Sequence, residues 1–229
     1  MHKGLRSVRE GVAANGSPSN RRSQWLLKAI GVATLLLIGK SAGADPHPWR
    51  ILAFGDSLTA GFGVREEDSF PVRLQQRLQA DGIAVEIVNA GVSGDTTSGG
   101  LARLGWSLTQ KPDLVLVELG ANDALRGIDP GVARANLDRI LARLREMGLP
   151  ALLLGMKAPA NWGRDYQLEF DAIFPNLAEK YAVPLYPFFL EGVAGDKELN
   201  QPDGLHPNAR GVAVIVGRVA PEIEKLLRP

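Results

Sequence analysis

Ile51-Leu52-Ala53-Phe54-Gly55-Asp56-Ser57-Leu58 is the stretch that decides how this chain folds. Four apolar residues closed by a glycine have the pattern of a short strand buried in a sheet. At the carboxyl end of the first strand of an α/β domain, Ser57 stands where such sheets form their ligand crevice. Outward from it the chain alternates strand and helix. Arg50–Phe54 is read as the first strand, and Ser69–Gln79 as a helix with Pro71 in its first turn and Asp81-Gly82 closing it. Val85–Asn89, the nearly all-apolar Leu114–Leu119, Ala151–Gly155 and Val183–Tyr186 follow as strands. Thr97–Leu108, Pro130–Met147, Asp165–Tyr181 and Pro207–Leu227 are the helices expected between and after them. Five strands separated by helices imply an α/β fold of three layers on a parallel sheet. Right-handed crossovers favour the order 2-1-3-4-5, with the crevice between the first and third strands.

The first 44 residues have another character. A polar, basic lead ending in Arg21-Arg22 precedes an apolar run from Trp25 to Gly39 that Lys28 interrupts. Its unbroken part, Ala29–Gly39, is 11 residues long, short for a membrane span and right for a signal-peptide core. Ser41-Ala42-Gly43-Ala44 follows as a small-residue cleavage site. The expected layout is a signal peptide over 1–44, cut after Ala44, and one periplasmic or secreted domain over 45–229. A membrane tether through an uncleaved signal anchor is the alternative. Arg21-Arg22 hints at twin-arginine export, but Gln24 stands where that route favours an apolar residue, so ordinary secretion is preferred. Removing the seven basic residues and one acidic residue of this segment from 26 and 25 leaves a charge of about −5. That charge argues against nucleic-acid binding, and no stable membrane span is expected after cleavage. The absence of cysteine excludes disulfides, a thiolate nucleophile and cysteine metal ligands.

Two apparent motifs carry no function. Gly39-Lys40-Ser41-Ala42-Gly43 fits both a G-x-S-x-G elbow and the end of a phosphate-binding loop. It lies at the cleavage site without a strand before it, and Thr34 occupies the place of the loop's first glycine. Ser57 carries more weight. A serine after Gly-Asp often caps a helix, yet its place at the crevice also suits a nucleophile, which then needs a base. Of the three histidines, His2 lies in the export segment and His47 just past its end. His206 remains. Alone it reads as a surface residue before the last helix, but Asp203 precedes it by three residues in a loop bounded by Pro202 and Pro207. From there an aspartate can turn back onto Nδ1, fix the tautomer and leave Nε2 to accept the serine proton. The Gly91 N–H, unobstructed by a Cβ, the Asn122 side-chain amide and the Ser57 N–H are candidate donors to a developing oxyanion. Asp56 and Asp123 read as braces of their turns. A lone domain histidine without cysteine cannot build the usual zinc sets, so no metal and no cofactor is expected.

Gly55-Asp56-Ser57-Leu58, Gly91 within Asn89–Asp95, Gly120-Ala121-Asn122-Asp123 and Asp203-Gly204-Leu205-His206-Pro207 resemble, in order and spacing, the four blocks of the GDSL or SGNH hydrolases. The resemblance spans nearly all of residues 50–228. It implies a flavodoxin-like fold, Ser57 as nucleophile, Gly91 and Asn122 as oxyanion donors, and Asp203 with His206 completing a triad. Gly100–Leu104, Leu125-Arg126-Gly127 and Pro159–Gly163 look like the periplasmic thioesterase, lysophospholipase and arylesterase branch, although Ala121 stands where many of that branch carry glycine. The implied partner is a small-molecule acyl ester or thioester, with Leu125, Ile128, Pro159 and Trp162 bordering the acyl chain. Three rivals stand beside this reading. One is a magnesium phosphatase, although Asp56-Ser57-Leu58-Thr59 lacks the second aspartate of such a loop. The others are a carbohydrate acetyl esterase and a binding module in which Ser57 and His206 merely cap helices.

Overall fold

The apolar run forms the middle of a strand, β1 (Trp49–Gly55), in which Ile51, Leu52, Ala53 and Phe54 are all buried. The computed structural model describes residues 47–228, so the expected export segment lies outside the described residues. After β1 come α1 (Ser57–Ala60), α2 (Phe70–Ala80), β2 (Val85–Gly91), α3 (Thr97–Ser107) and β3 (Leu114–Glu118). They are followed by α4 (Ala121–Leu125), α5 (Pro130–Glu146), β4 (Ala151–Leu154), α6 (Arg164–Asp171), α7 (Ile173–Tyr181), β5 (Leu185–Tyr186) and α8 (Ala209–Leu227). The five strands form one parallel sheet in the order β2-β1-β3-β4-β5. The α2 and α8 helices pack together on one side of it, and α5 packs against α3 and α7 on the other. This is the expected three-layer arrangement.

Burial follows the strand positions. Every residue of the central β3 and of β4 is buried, whereas β2, at the edge, is largely half-exposed. The register sets Gly55 level with both Gly91 and Glu118. Three strand ends therefore open at one height, and the segments leaving them line the crevice. Among the described residues no helix is long and apolar enough to cross a membrane.

Two helix readings differ from the structure by more than a residue at one end. The single helix expected over 165–181 is two, α6 and α7, parted at Ala172. Pro175 explains the break: it has no N–H to donate back to the carbonyl of Asp171, and its ring crowds that carbonyl. The last helix starts at Ala209 and not at Pro207, because Asn208 caps it, its Oδ1 accepting from the N–H groups of Arg210 (2.9 Å) and Gly211 (3.1 Å). Pro207 instead faces Asn200 in an isolated antiparallel bridge, which leaves the Asp203–His206 segment outside the helix, in a loop. Two short helices that the sequence reading treated as turns, α1 and α4, carry the crevice residues.

Candidate active site

Ser57 is the first residue of α1, and the Oδ1 of Asp56 caps that helix by accepting from the Leu58 N–H at 3.0 Å. The cap turns the chain sharply off β1 and holds the serine hydroxyl at the sheet's open end. Ser57 Oγ lies 3.0 Å from Nε2 of His206, whose Nδ1 lies 2.7 Å from Oδ2 of Asp203. The other oxygen of Asp203 accepts the N–H groups of Leu205 (2.9 Å) and His206 (3.0 Å). These backbone donors, joined by the imidazole, hold the Asp203 carboxyl down at about 2. It stays ionised at any ordinary pH, facing Nδ1. Gln201 ties the loop down: its N–H reaches the His206 carbonyl at 2.8 Å, and its Nε2 reaches the carbonyls of Phe62 (2.8 Å) and Pro207 (2.9 Å). The sequence-predicted serine, histidine and aspartate thus meet in one relay.

Asn122 sits in the first turn of α4, and its Nδ2 donates to Oδ2 of Asp56 at 3.1 Å. One amide hydrogen is thereby anchored and the second is left for another acceptor. Asp56 does more than brace its own turn, since it aims Asn122. Asp123 braces a different element from the one expected, accepting the Thr97 N–H (2.8 Å) and hydroxyl (2.6 Å) at the start of α3.

Gly91 requires a correction. Its N–H already donates to Oδ1 of Asn89 at 3.0 Å, and a Cβ there would lie 2.2 Å from the Ala60 nitrogen. The glycine is needed for close approach of β2 to α1, not to leave an N–H free. Three residues on, Gly94 takes a left-handed φ of 80° in the loop above Gly55. That loop is pinned by the Val92 N–H on the Gly55 carbonyl (3.1 Å) and by Arg126 Nη2 on the Gly94 carbonyl (2.8 Å). Among the described residues the N–H groups of Ser57 and Gly94 have no protein acceptor.

Two charged groups that sequence reasoning missed lie beneath this surface. Arg103 is held over the Phe54 ring and spans the strand ends, its guanidinium reaching Asp95 Oδ2 (2.6 Å), the Ala90 carbonyl (2.8 Å) and the Gly55 carbonyl (2.8 Å). Glu118, fully buried at the end of β3, accepts the Thr59 hydroxyl at 2.7 Å and the Asp56 N–H at 3.2 Å through Oε2. Its Oε1 has no partner among the described residues. Burial first, then the nearby Asp56 carboxylate, raise the Glu118 carboxyl well above its ordinary value; burial also pushes Asp56 up to about 6. Both shifts favour the protonated carboxyl, and complete burial makes this strongest at Glu118. A lone charged residue inside the apolar run Leu114–Leu119 was the available signal for Glu118; for Arg103 the only signal was its place in Gly100–Leu104, since its backbone acceptors Ala90 and Gly55 lie 13 and 48 residues away.

The sign of this linkage makes a test. A carboxyl raised by folding keeps a proton that the unfolded chain releases, so its stabilisation is full below the unfolded value and is lost as pH rises. Glu118→Gln should therefore flatten the fall of stability with pH above about 4.5, by up to about 1.4 kcal/mol per pH unit. Urea unfolding of both proteins from pH 5 to 8 measures the slopes, and parallel slopes would mean that Glu118 ionises normally.

The loops expected to border an acyl chain do come together. Trp162 donates its indole N–H to the Ala124 carbonyl at 2.8 Å and lays its ring against Gly127. Tyr166 donates its hydroxyl to the Ile128 carbonyl at 2.8 Å. Leu125 and Trp162 remain 43% and 45% exposed, while Ile128 and Pro159 are half-buried.

A serine hydroxyl bonded to a carboxylate-braced imidazole, at the open end of a parallel sheet, is the equipment of a serine acyl hydrolase. The GDSL-like lipase/acylhydrolase family model matches residues 53–214, and the chain belongs to that family. It is 40% identical over 199 residues to an arylesterase of Vibrio mimicus, covering 86% of this chain and 100% of the relative. It is 39% identical over 194 residues to thioesterase 1/protease 1/lysophospholipase L1 of Escherichia coli K12, covering 84% and 90%. Among solved structures, AlinE4, an SGNH-hydrolase family esterase, superposes with a TM-score of 0.67 at 49% identity, over 80% of this chain and 98% of that one. The protein is a GDSL-type esterase.

Proposed function

We propose that the enzyme hydrolyses acyl esters and thioesters through a covalent Ser57 acyl intermediate. The observation that carries this reading is the relay from Ser57 Oγ through His206 to Asp203, at 3.0 and 2.7 Å. His206 Nε2 takes the hydroxyl proton as Oγ adds to the substrate carbonyl. The imidazolium is stabilised by the ionised Asp203 and delivers that proton to the departing alcohol or thiol. In the second half a water loses its proton to His206, attacks the acyl carbonyl, and Ser57 recovers its hydroxyl. The oxyanion formed twice on this path is received by the Ser57 N–H, the Asn122 amide and the N–H of Gly94, in place of Gly91. None of these steps uses a metal, so turnover should survive chelator, against the magnesium phosphatase reading. Labelling of Ser57 by a fluorophosphonate, located by peptide mass spectrometry, tests the core claim. Failure to label would return the chain to a binding role.

The substrate side rests on Leu125, Ile128, Pro159 and Trp162, and the relative described in part as a lysophospholipase supports an acyl chain longer than acetyl. A fully sheltered methylene contributes about 0.8 kcal/mol. On a surface as open as Leu125 and Trp162, roughly half of that gives about a fourfold rise in kcat/KM per two added carbons. Trp162→Ala should flatten this slope more than it slows acetyl ester cleavage. A profile that falls from acetyl onward would move the enzyme to the acetyl esterases.

We also propose that residues 1–44 direct export and are removed after Ala44, so that the enzyme works in the periplasm or outside the cell. Mass spectrometry of the protein from fractionated cells tests this through a mature amino terminus at Asp45.

A further inference from the structure

Phe62 has no part in the relay, yet its ring lies against it. Its ring centroid lies 4.6 Å from that of His206, tilted by 42°, and half of the side chain is open to solvent. Its position is fixed at both ends of the residue: the N–H donates to the Ser57 carbonyl at 3.1 Å, and the carbonyl accepts from Gln201 Nε2 at 2.8 Å. A large exposed aromatic held this firmly beside a general base is more than surface decoration.

We infer that Phe62 is the floor of a leaving-group subsite that takes aromatic and flat apolar alcohols and thiols. The inference rests on the acyl-enzyme reading above and follows from its stereochemistry. The carbonyl carbon under attack at Ser57 Oγ has three other directions to fill. Its oxygen turns to the Ser57 N–H and to Asn122 on α4. Its leaving atom must come within hydrogen-bond reach of His206 Nε2, because that nitrogen returns the proton. The acyl substituent takes the remaining direction, toward the α4 side where Leu125 and Trp162 are joined through the Ala124 carbonyl. A group attached to the leaving atom therefore emerges over the imidazole edge, within van der Waals reach of the Phe62 ring that leans on that imidazole. By the same geometry an alcohol that replaces water in deacylation occupies this subsite. The alcohol gives its proton to His206, its oxygen bonds to the acyl carbon as the Ser57 ester bond breaks, and His206 returns the proton to Ser57 Oγ. The products are a new ester and the free enzyme.

The test compares benzyl and methyl butanoate, whose alcohols have nearly equal acidity, so their ratio of kcat/KM reports contact and not leaving-group chemistry. Phe62→Ala should cut the benzyl preference by about tenfold, and Phe62→Leu, which keeps apolar volume without the flat ring, by about threefold. The slope with acyl length should match wild type in both. Partition of the acyl-enzyme between benzyl alcohol and methanol, read from the product esters, should drop in parallel. An equal loss on both esters would make Phe62 a brace for His206 and overturn the subsite, as would an effect confined to acyl length. A wild-type enzyme that fluorophosphonate does not label would instead sink the serine mechanism, which keeps the two failures apart.

Discussion

Ser57→Ala should lower kcat by on the order of 10⁶-fold while the protein remains folded. Only a hydroxyl is removed, and its one hydrogen bond among the described residues is the 3.0 Å bond to His206, so stability should change by no more than about 1 kcal/mol. His206→Ala should cost about as much, because a serine without its base is no better a nucleophile than the alanine variant. The double variant should then be no slower than either single one, since each change already removes the whole relay. Single-turnover assays on a p-nitrophenyl ester, with circular dichroism as the control for folding, decide the matter. A Ser57→Ala enzyme with wild-type rates would remove Ser57 from the chemistry, and multiplying losses in the double variant would show that the residues act separately.

Asn122→Ala should reduce kcat by about 10²–10³-fold with KM nearly unaltered. The amide is positioned for a charge that exists only in the transition state, and its anchor is the 3.1 Å bond to Asp56. Asp56→Ala should reproduce much of the same loss, because an Asn122 without its acceptor is free to rotate. The two changes together should fall well short of additive, which a double-mutant cycle reads directly. Asn122→Asp should do at least as much damage as alanine, since it sets a second carboxylate against Asp56 and against the forming oxyanion. A KM effect with kcat preserved would make Asn122 a ground-state contact.

The expected and observed structures agree where the information is local. The buried strands were legible because a sheet covered on both faces demands continuous apolar residues, as at Leu114–Val117. The Asp203–His206 pair was legible because three residues suffice to close an Asx turn, and the backbone then brings carboxylate and imidazole together. Helix ends were less so. Pro175 divides an amphipathic stretch whose periodicity runs straight through it, and Asn208 outcompetes Pro207 as the place where α8 begins. The acyl-side loops were placed from strand ends and from the family resemblance, but it is the packing of Trp162 on Gly127 and its bond to the Ala124 carbonyl that join them into one surface.

By itself, the sequence determined the layered α/β architecture, the strand order and the small set of residue types able to do the chemistry, with one histidine inside the folded domain to act as base. The tertiary structure alone decided which groups face one another across long separations. Ser57 and His206 are 149 residues apart, Asp56 and Asn122 66, Thr59 and Glu118 59, and Arg103 and Gly55 48. It also gave the Gly91 N–H to Asn89 and, among the described residues, left the N–H of Gly94 in the loop beyond without a protein acceptor. The reason is physical. Periodicity and turn chemistry act over a few residues, whereas the partner of an N–H or a carboxylate at a strand end is set by how neighbouring strands and helices pack around it.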